Sequence, residues 1–272
     1  DQAPAKLVQQ PVRRGEIRRI TPLQQAIDKL VRDIGNIGNT HAGAPSWPLL
    51  LRSRPIGYAD RSRPQQATAC QAYTEIRAPP IEGNTGAALA GWLDERPKPW
   101  LDAVKVVATD LASSYRSGLD GRLLHALRVA DPFHVVRVAN RCLDKVRRRV
   151  QNTTKGHRGR KRDPLYRIRK LLTKGAERLD GTGLDRMLLE LRIGDPDGDV
   201  TGAWCAKESV RDVYLTNDPA EAELLLDKTI EGCRLDPVTE IQALGRTLAR
   251  WRTEILNHHH TGASNGPTEA LN

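Results

Sequence analysis

The residues of this 272-residue sequence whose types and spacing could do chemistry are three acids, a basic block and a group of histidines. Asp110 follows the apolar run Val104 to Ala108, and Asp131 follows a second run, Leu127 to Ala130. Glu269 lies far downstream, in NGPTEALN. Carboxylates converging from separate elements can hold divalent metal for phosphoryl transfer, because Mg2+ takes hard oxygen ligands and keeps positions for water and a substrate phosphate. An aspartate at a strand end serves equally as a helix or turn cap, and residue type alone leaves that alternative open.

The basic block runs from Arg137 to Arg178, with sixteen Lys or Arg against three acids, Asp144, Asp163 and Glu177. Its net charge of +13 exceeds the +10 of the whole chain, so the rest of the sequence is slightly acidic. Basic character is therefore local, which fits a surface that neutralises nucleic-acid phosphates. The contacts expected from the block are Arg147, Arg148 and Arg149 in RRR, then Lys155, Arg158, Arg160, Lys161 and Arg162 around GHRGRKR. A solvated helix face is the plain alternative.

His258, His259 and His260 are consecutive, so they cannot share one helix face, and no cysteine or acid stands at ligand spacing. They read as a helix end near its negative dipole. His134, in DPFH, stands at the start of the basic helix, where it can orient Asp131, contact phosphate or simply pack.

These side chains need elements to position them. EGNTGAALAGWLDERPKPW reads as a turn, a short helix with Leu89, Trp92 and Leu93 on one face, and a proline-rich stop. DAVKVVATD is an apolar run of strand length, SSYRSGLDGRLLHAL a helix and turn, and RVAD a second short strand. Strand, helix and strand predict an α/β unit with a parallel pair. Beyond Asp131, apolar residues recur at helical spacing through Val136, Ala139, Leu143, Val146 and Val150. PLYRIRKLLTKGAERL predicts a helix with Leu165, Ile168, Leu172 and Leu179 inward, and DRMLLELRI and VTGAWCAKESVRDVYLT predict two more around the turn GDPDGD. Asp218, Pro219 and Glu221 mark a strong helix start. The last helix, VTEIQALGRTLARWRTEILNHH, carries Ile241, Leu244, Leu248, Trp251 and Ile255 on one face.

Residues 1 to 80 carry one amphipathic pattern, capped by Thr21 and Pro22, and are otherwise rich in Arg, Pro, Gly, Ala and Gln, which predicts loop or disorder. No apolar run is long enough for a membrane span and no leader pattern opens the chain, so a soluble protein without a membrane partner is expected. Cys70, Cys142, Cys205 and Cys233 lack paired spacing, which fits a reduced compartment without zinc or disulfides. The start on Asp1 fits a fragment or a processed chain.

Four strings in this order, VKVVATDLASSYRSG, VADPFHVVRVANRCLDKVRRRVQ, GHRGRKRDPLYRIRKLL and TGASNGPTEALN, resemble the bacterial insertion-sequence transposases of the ISL-type DDE group. The resemblance covers about residue 81 to the end. It implies an RNase H-like catalytic core in which Mg2+, held by two aspartates and a glutamate, serves DNA cleavage and joining. Asp110 matches the family's second acid and Glu269 its third, while Asp131 matches a family motif and is the less favoured metal ligand. DNA, in the form of transposon ends, is the implied partner, with homo-oligomers and a bacterial cytoplasmic, nucleoid-associated location.

The expected fold is accordingly α/β: an incomplete RNase H-like core with a large all-helical insertion and a poorly ordered N-terminal region. Its divisions are residues 1–80, a core part at 81–135, a basic helical insertion at 136–260, and the start of the final core helix at 261–272. No counterpart of the family's first aspartate is expected, since the pattern predicts no strand leading into Asp60 in GYADRSR, and the upstream zinc-finger and helix-turn-helix modules are not expected either. A truncated or decayed copy with weak or absent strand transfer is expected, its first eighty residues read out of frame. The alternative is a non-catalytic DNA-binding remnant, and a third is an expressed fragment with no role.

Overall fold

The computed structural model describes residues 85–264. The expectations placed on Thr21, Asp60, Cys70 and Glu269 lie outside these residues. The described chain is mixed α/β, mostly helical, with one two-stranded parallel sheet.

Helix α1 (Gly86–Asp94) begins where the Thr85 hydroxyl accepts the Ala88 N–H at 3.1 Å. It buries Leu93, with Leu89 and Trp92 packed on the same small cluster, as their spacing predicts. The proline-rich stretch behind it forms α2 (Lys98–Ala103), because Pro97 and Pro99 suit a helix start. The strand β1 (Val106–Thr109) is therefore shorter than the apolar run suggested.

Helix α3 (Ser113–Leu119) returns the chain to β2 (Leu127–Ala130), which pairs parallel to β1 with Thr109 opposite Ala130. Close packing of α3 on α1 depends on glycine: a Cβ on Gly118 would stand 2.6 Å from the Gly86 carbonyl oxygen. Leu93, Leu119, Leu123 and Ala126 form the small apolar cluster under this unit.

Asp131 ends β2 and caps α4 (Pro132–Lys155), whose buried side is Val135, Ala139, Cys142, Leu143, Val146 and Val150. Val136, expected inward, packs at the flank while Val135 takes the buried place. Gly156 stops α4 at φ 72°, a conformation that favours glycine.

The predicted helix from Pro164 is broken into α5 (Pro164–Arg167), α6 (Arg169–Thr173) and a 3-10 turn (Ala176–Arg178). Leu165, Ile168 and Leu172 are nevertheless buried, so the apolar spacing holds although the axis bends. Helix α7 (Gly181–Gly194) is capped by Asp180.

Helix α8 (Asp199–Leu215) is buried on every side from Val200 to Val210 and is the centre of the helical unit, flanked by α4 and by α9 (Pro219–Leu235). A helix enclosed all round shows little amphipathic contrast. Asp195 caps α8 by accepting the Val200 and Thr201 N–H groups and the Thr201 hydroxyl. Asp218 caps α9 as its position predicts, accepting the Ala220 N–H at 3.0 Å.

The final predicted helix is two, α10 (Thr239–Arg250) and α11 (Arg252–Thr261). At Trp251 one N–H is shared among the carbonyls of Thr247, Leu248 and Ala249, a tightening that turns the axis. Ile241, Leu244, Leu248, Trp251 and Ile255 are all buried. Helix α11 packs along β2, and Asn257 donates to the Arg128 carbonyl at 2.8 Å.

Candidate functional site

Parallel pairing of β1 and β2 brings Asp110 and Asp131 side by side, each one residue beyond a strand end. Their environments differ. The Asp110 side chain is 42% exposed, whereas Asp131 is 1% exposed and caps α4, accepting the His134 N–H at 3.2 Å. His134 also reaches Asp110 through its ring, with Nε2 at 2.9 Å from Oδ1. A carboxylate facing Nε2 makes that nitrogen the donor. One residue therefore ties both acids, by backbone to Asp131 and by side chain to Asp110.

Behind Asp131 stands an aromatic group from the ends of two helices. Tyr214 of α8 stacks on His259 of α11 with ring centroids 5.8 Å apart, and His258 meets Tyr214 edge-on at 5.5 Å. Burial, with the Asp131 charge, holds the Tyr214 hydroxyl protonated by pushing its pKa up. The His258 ring lies 2.9 Å from the Ala263 carbonyl through Nδ1. The three histidines do occupy the last turn of α11, as expected.

Burial lowers the His259 pKa to about 4, and its charged-form repulsion with His258 and His260 adds to this. Between that value and the unfolded value near 6.5, the unfolded chain binds the extra proton. The resulting stability is complete above the upper limit and lost as pH falls through the window. His259→Phe, which keeps the stacked ring, is expected to flatten the dependence of the melting temperature on pH between about 6.5 and 4. An unchanged slope in a calorimetric pH series would remove His259 as its source.

The basic block is divided by its partners. Arg147 is 5% exposed and bonds to Asp144 and Gln151, so it faces the core rather than solvent. Arg148 pairs with Asp144, and Arg149 bonds to Glu240 at 2.7 Å and Asp199 at 3.0 Å. Of the three arginines in RRR expected to contact DNA, the helix turns Arg147 inward, and Arg148 and Arg149 are paired with acids of the protein itself. Lys155, Arg158, Arg160, Lys161 and Arg162 are exposed in and beside the loop after α4. Asp163 closes that loop by accepting the Arg160 N–H.

An open recess of about 490 Å³ lies beside the loop, lined by Lys161, Tyr166, Arg167, Arg169 and Arg186. Of these, only Lys161 was expected as a contact from the sequence. The string YRIR at 166–169 carried a signal, an aromatic between cations, but Arg186 joins only through the packing of α5 on α7.

Among the described residues no three His, Cys, Asp or Glu side chains form a metal-capable group. Asp110 and Asp131 are brought together, while Glu269 lies outside the described residues. Cys142 and Cys205 are buried free thiols, pushed up to about 12 by burial, and Cys233 is raised likewise. No helix among the described residues is long and apolar enough to cross a membrane.

Paired acids at parallel strand ends, beside a cationic helical unit, fit proteins that act on nucleic acid. A family model for transposases matches residues 71–272, and the chain belongs to that family, the ISL3-type DDE transposases, whose role is DNA transposition. Comparison with curated proteins and with solved structures gave no match.

Proposed function

We propose that the chain serves DNA transposition through an RNase H-like core in which Asp110 and Glu269 hold Mg2+ for strand cleavage and joining. The observation that carries the reading is the exposed Asp110 carboxylate at a parallel strand end, oriented by His134 and next to Asp131, in a member of the transposase family. Carboxylate oxygens are the donor type that Mg2+ takes, and an acid at a strand mouth leaves room for water and phosphate. When bound, the metal supplies charge neutralisation at the phosphodiester and activation of water or a 3′-hydroxyl.

The protein's own groups do the rest. His134 fixes the Asp110 carboxylate, in the way that a hydrogen-bonded outer partner orients a metal ligand. Asp131, buried and bonded to the α4 N-terminus, secures the helix that carries His134 and stands as the less favoured ligand. The exposed cations after α4 hold DNA, transposon ends by family analogy, with the 136–260 region acting as the helical insertion.

A Mg2+-dependent cleavage and strand-transfer assay on insertion-sequence end DNA tests the reading. Transfer that needs Mg2+ and Asp110 supports it. Salt-sensitive binding without any cleavage favours the alternative, a non-catalytic DNA-binding protein.

A further inference from the structure

The recess beside the loop after α4 combines cations of differing commitment. Arg167 is paired with Glu190 at 2.7 Å. Lys161, Arg169 and Arg186 have no carboxylate partner among the described residues, in contrast to Arg147, Arg148 and Arg149. Arg169 is held over Tyr166, its guanidinium 4.0 Å from the ring centroid and its Nη1 donating to the Tyr166 carbonyl at 2.8 Å.

Cations gathered around one opening repel one another until an anion sits among them. A guanidinium held at two points in this way loses little further freedom on binding and can offer paired N–H donors to a tetrahedral oxyanion. The underlying turn is built: the Gly159 N–H bonds to His157 Nδ1 at 3.2 Å, and Asp163 accepts from Arg160 just before Lys161. Helix α7 adds Arg186 to the lining.

The geometry points to this recess as the place where the helical unit grips a backbone phosphate of DNA, through Lys161, Arg169 and Arg186, with Tyr166 positioning Arg169. The assignment rests on the DNA-transposition reading and moves the main contact away from the RRR string, whose members bond within the protein.

The test is fluorescence anisotropy of the full chain on a labelled duplex across a salt series. Lys161→Ala/Arg169→Ala/Arg186→Ala is expected to weaken binding about tenfold or more and to reduce the log–log salt slope by about 1–3. A charge-matched control, Lys228→Ala/Arg234→Ala/Arg246→Ala on α9 and α10, is expected to stay within about twofold of wild type. Tyr166→Phe should bind as wild type, and Tyr166→Ala should lose part of the affinity. Should the triple variant fail to keep the wild-type melting temperature, the single Arg186→Ala, at an exposed site on α7, reads the same slope change at about 1. Wild-type affinity in the recess variants, or an equal loss in the control, overturns the assignment while leaving DNA binding intact. Absence of salt-sensitive binding by wild type overturns the assignment and the DNA reading together.

Discussion

Replacing Asp110 by alanine is expected to reduce Mg2+-dependent strand transfer by roughly a thousandfold, the equivalent of about 4 kcal/mol of lost charge stabilisation. Duplex binding should persist, because the cations beyond α4 are carried by separate elements. The selectivity follows from position. Asp110 is 42% exposed at the end of β1 and bonds to His134, whereas the fold around it is held by the β1–β2 pairing and by α3 on α1. His134→Gln gives a graded companion result, since the acid stays but its orienting partner changes. Collapse of DNA binding along with transfer in Asp110→Ala, together with a lower melting temperature, would recast Asp110 as a structural acid.

The second large effect is expected in the helical unit. Lys207 is 0% exposed on α8, and its Nζ donates to the carbonyls of Leu172 at 2.9 Å and Lys174 at 2.6 Å. It forms an ion pair with Glu208, while Glu208 also accepts the Ala176 N–H at 3.2 Å. Arg211 adds a pair with Glu177. These charges fasten the end of α6 and the following 3-10 turn to the central helix. Burial lowers the Lys207 pKa, and the neighbouring Glu208 opposes that shift.

Lys207→Ala removes the donor for two carbonyls, strips Glu208 of its closest cation and leaves a cavity. A loss of about 3–5 kcal/mol is expected, the usual cost of breaking a buried pair. For a chain of this size that corresponds to a fall in melting temperature of roughly 10 °C. Denaturant unfolding checks the figure. A loss under about 1 kcal/mol would mean that water or Arg211 replaces the missing charge.

Much of the frame was legible because it rests on local patterns. The apolar runs ending on Asp110 and Asp131 announced both strands, and the register of the parallel pair then placed the acids together. Asp218 and Pro219 marked the start of α9 because a cap acts within one turn.

What stayed hidden depends on distant partners. Arg149 looks like a free member of RRR until Asp199 and Glu240, 50 and 91 residues away, fold onto it. Lys207 reads as one polar residue in AWCAKESV, and only the enclosure of α8 reveals its burial. The turns at Ile168 and Trp251 carry no proline or glycine, so helical spacing ran across them undisturbed. His134 was seen as a neighbour of Asp131, but its bond to Asp110 spans two elements.

The central claim is that Asp110 and Glu269 share a metal ion. Mn2+ binding followed by electron paramagnetic resonance tests it directly in wild type, Asp110→Ala and Glu269→Gln. The account predicts saturable binding by wild type that is lost in both variants, with melting temperatures unchanged. Equal Mn2+ affinity in all three proteins would contradict it.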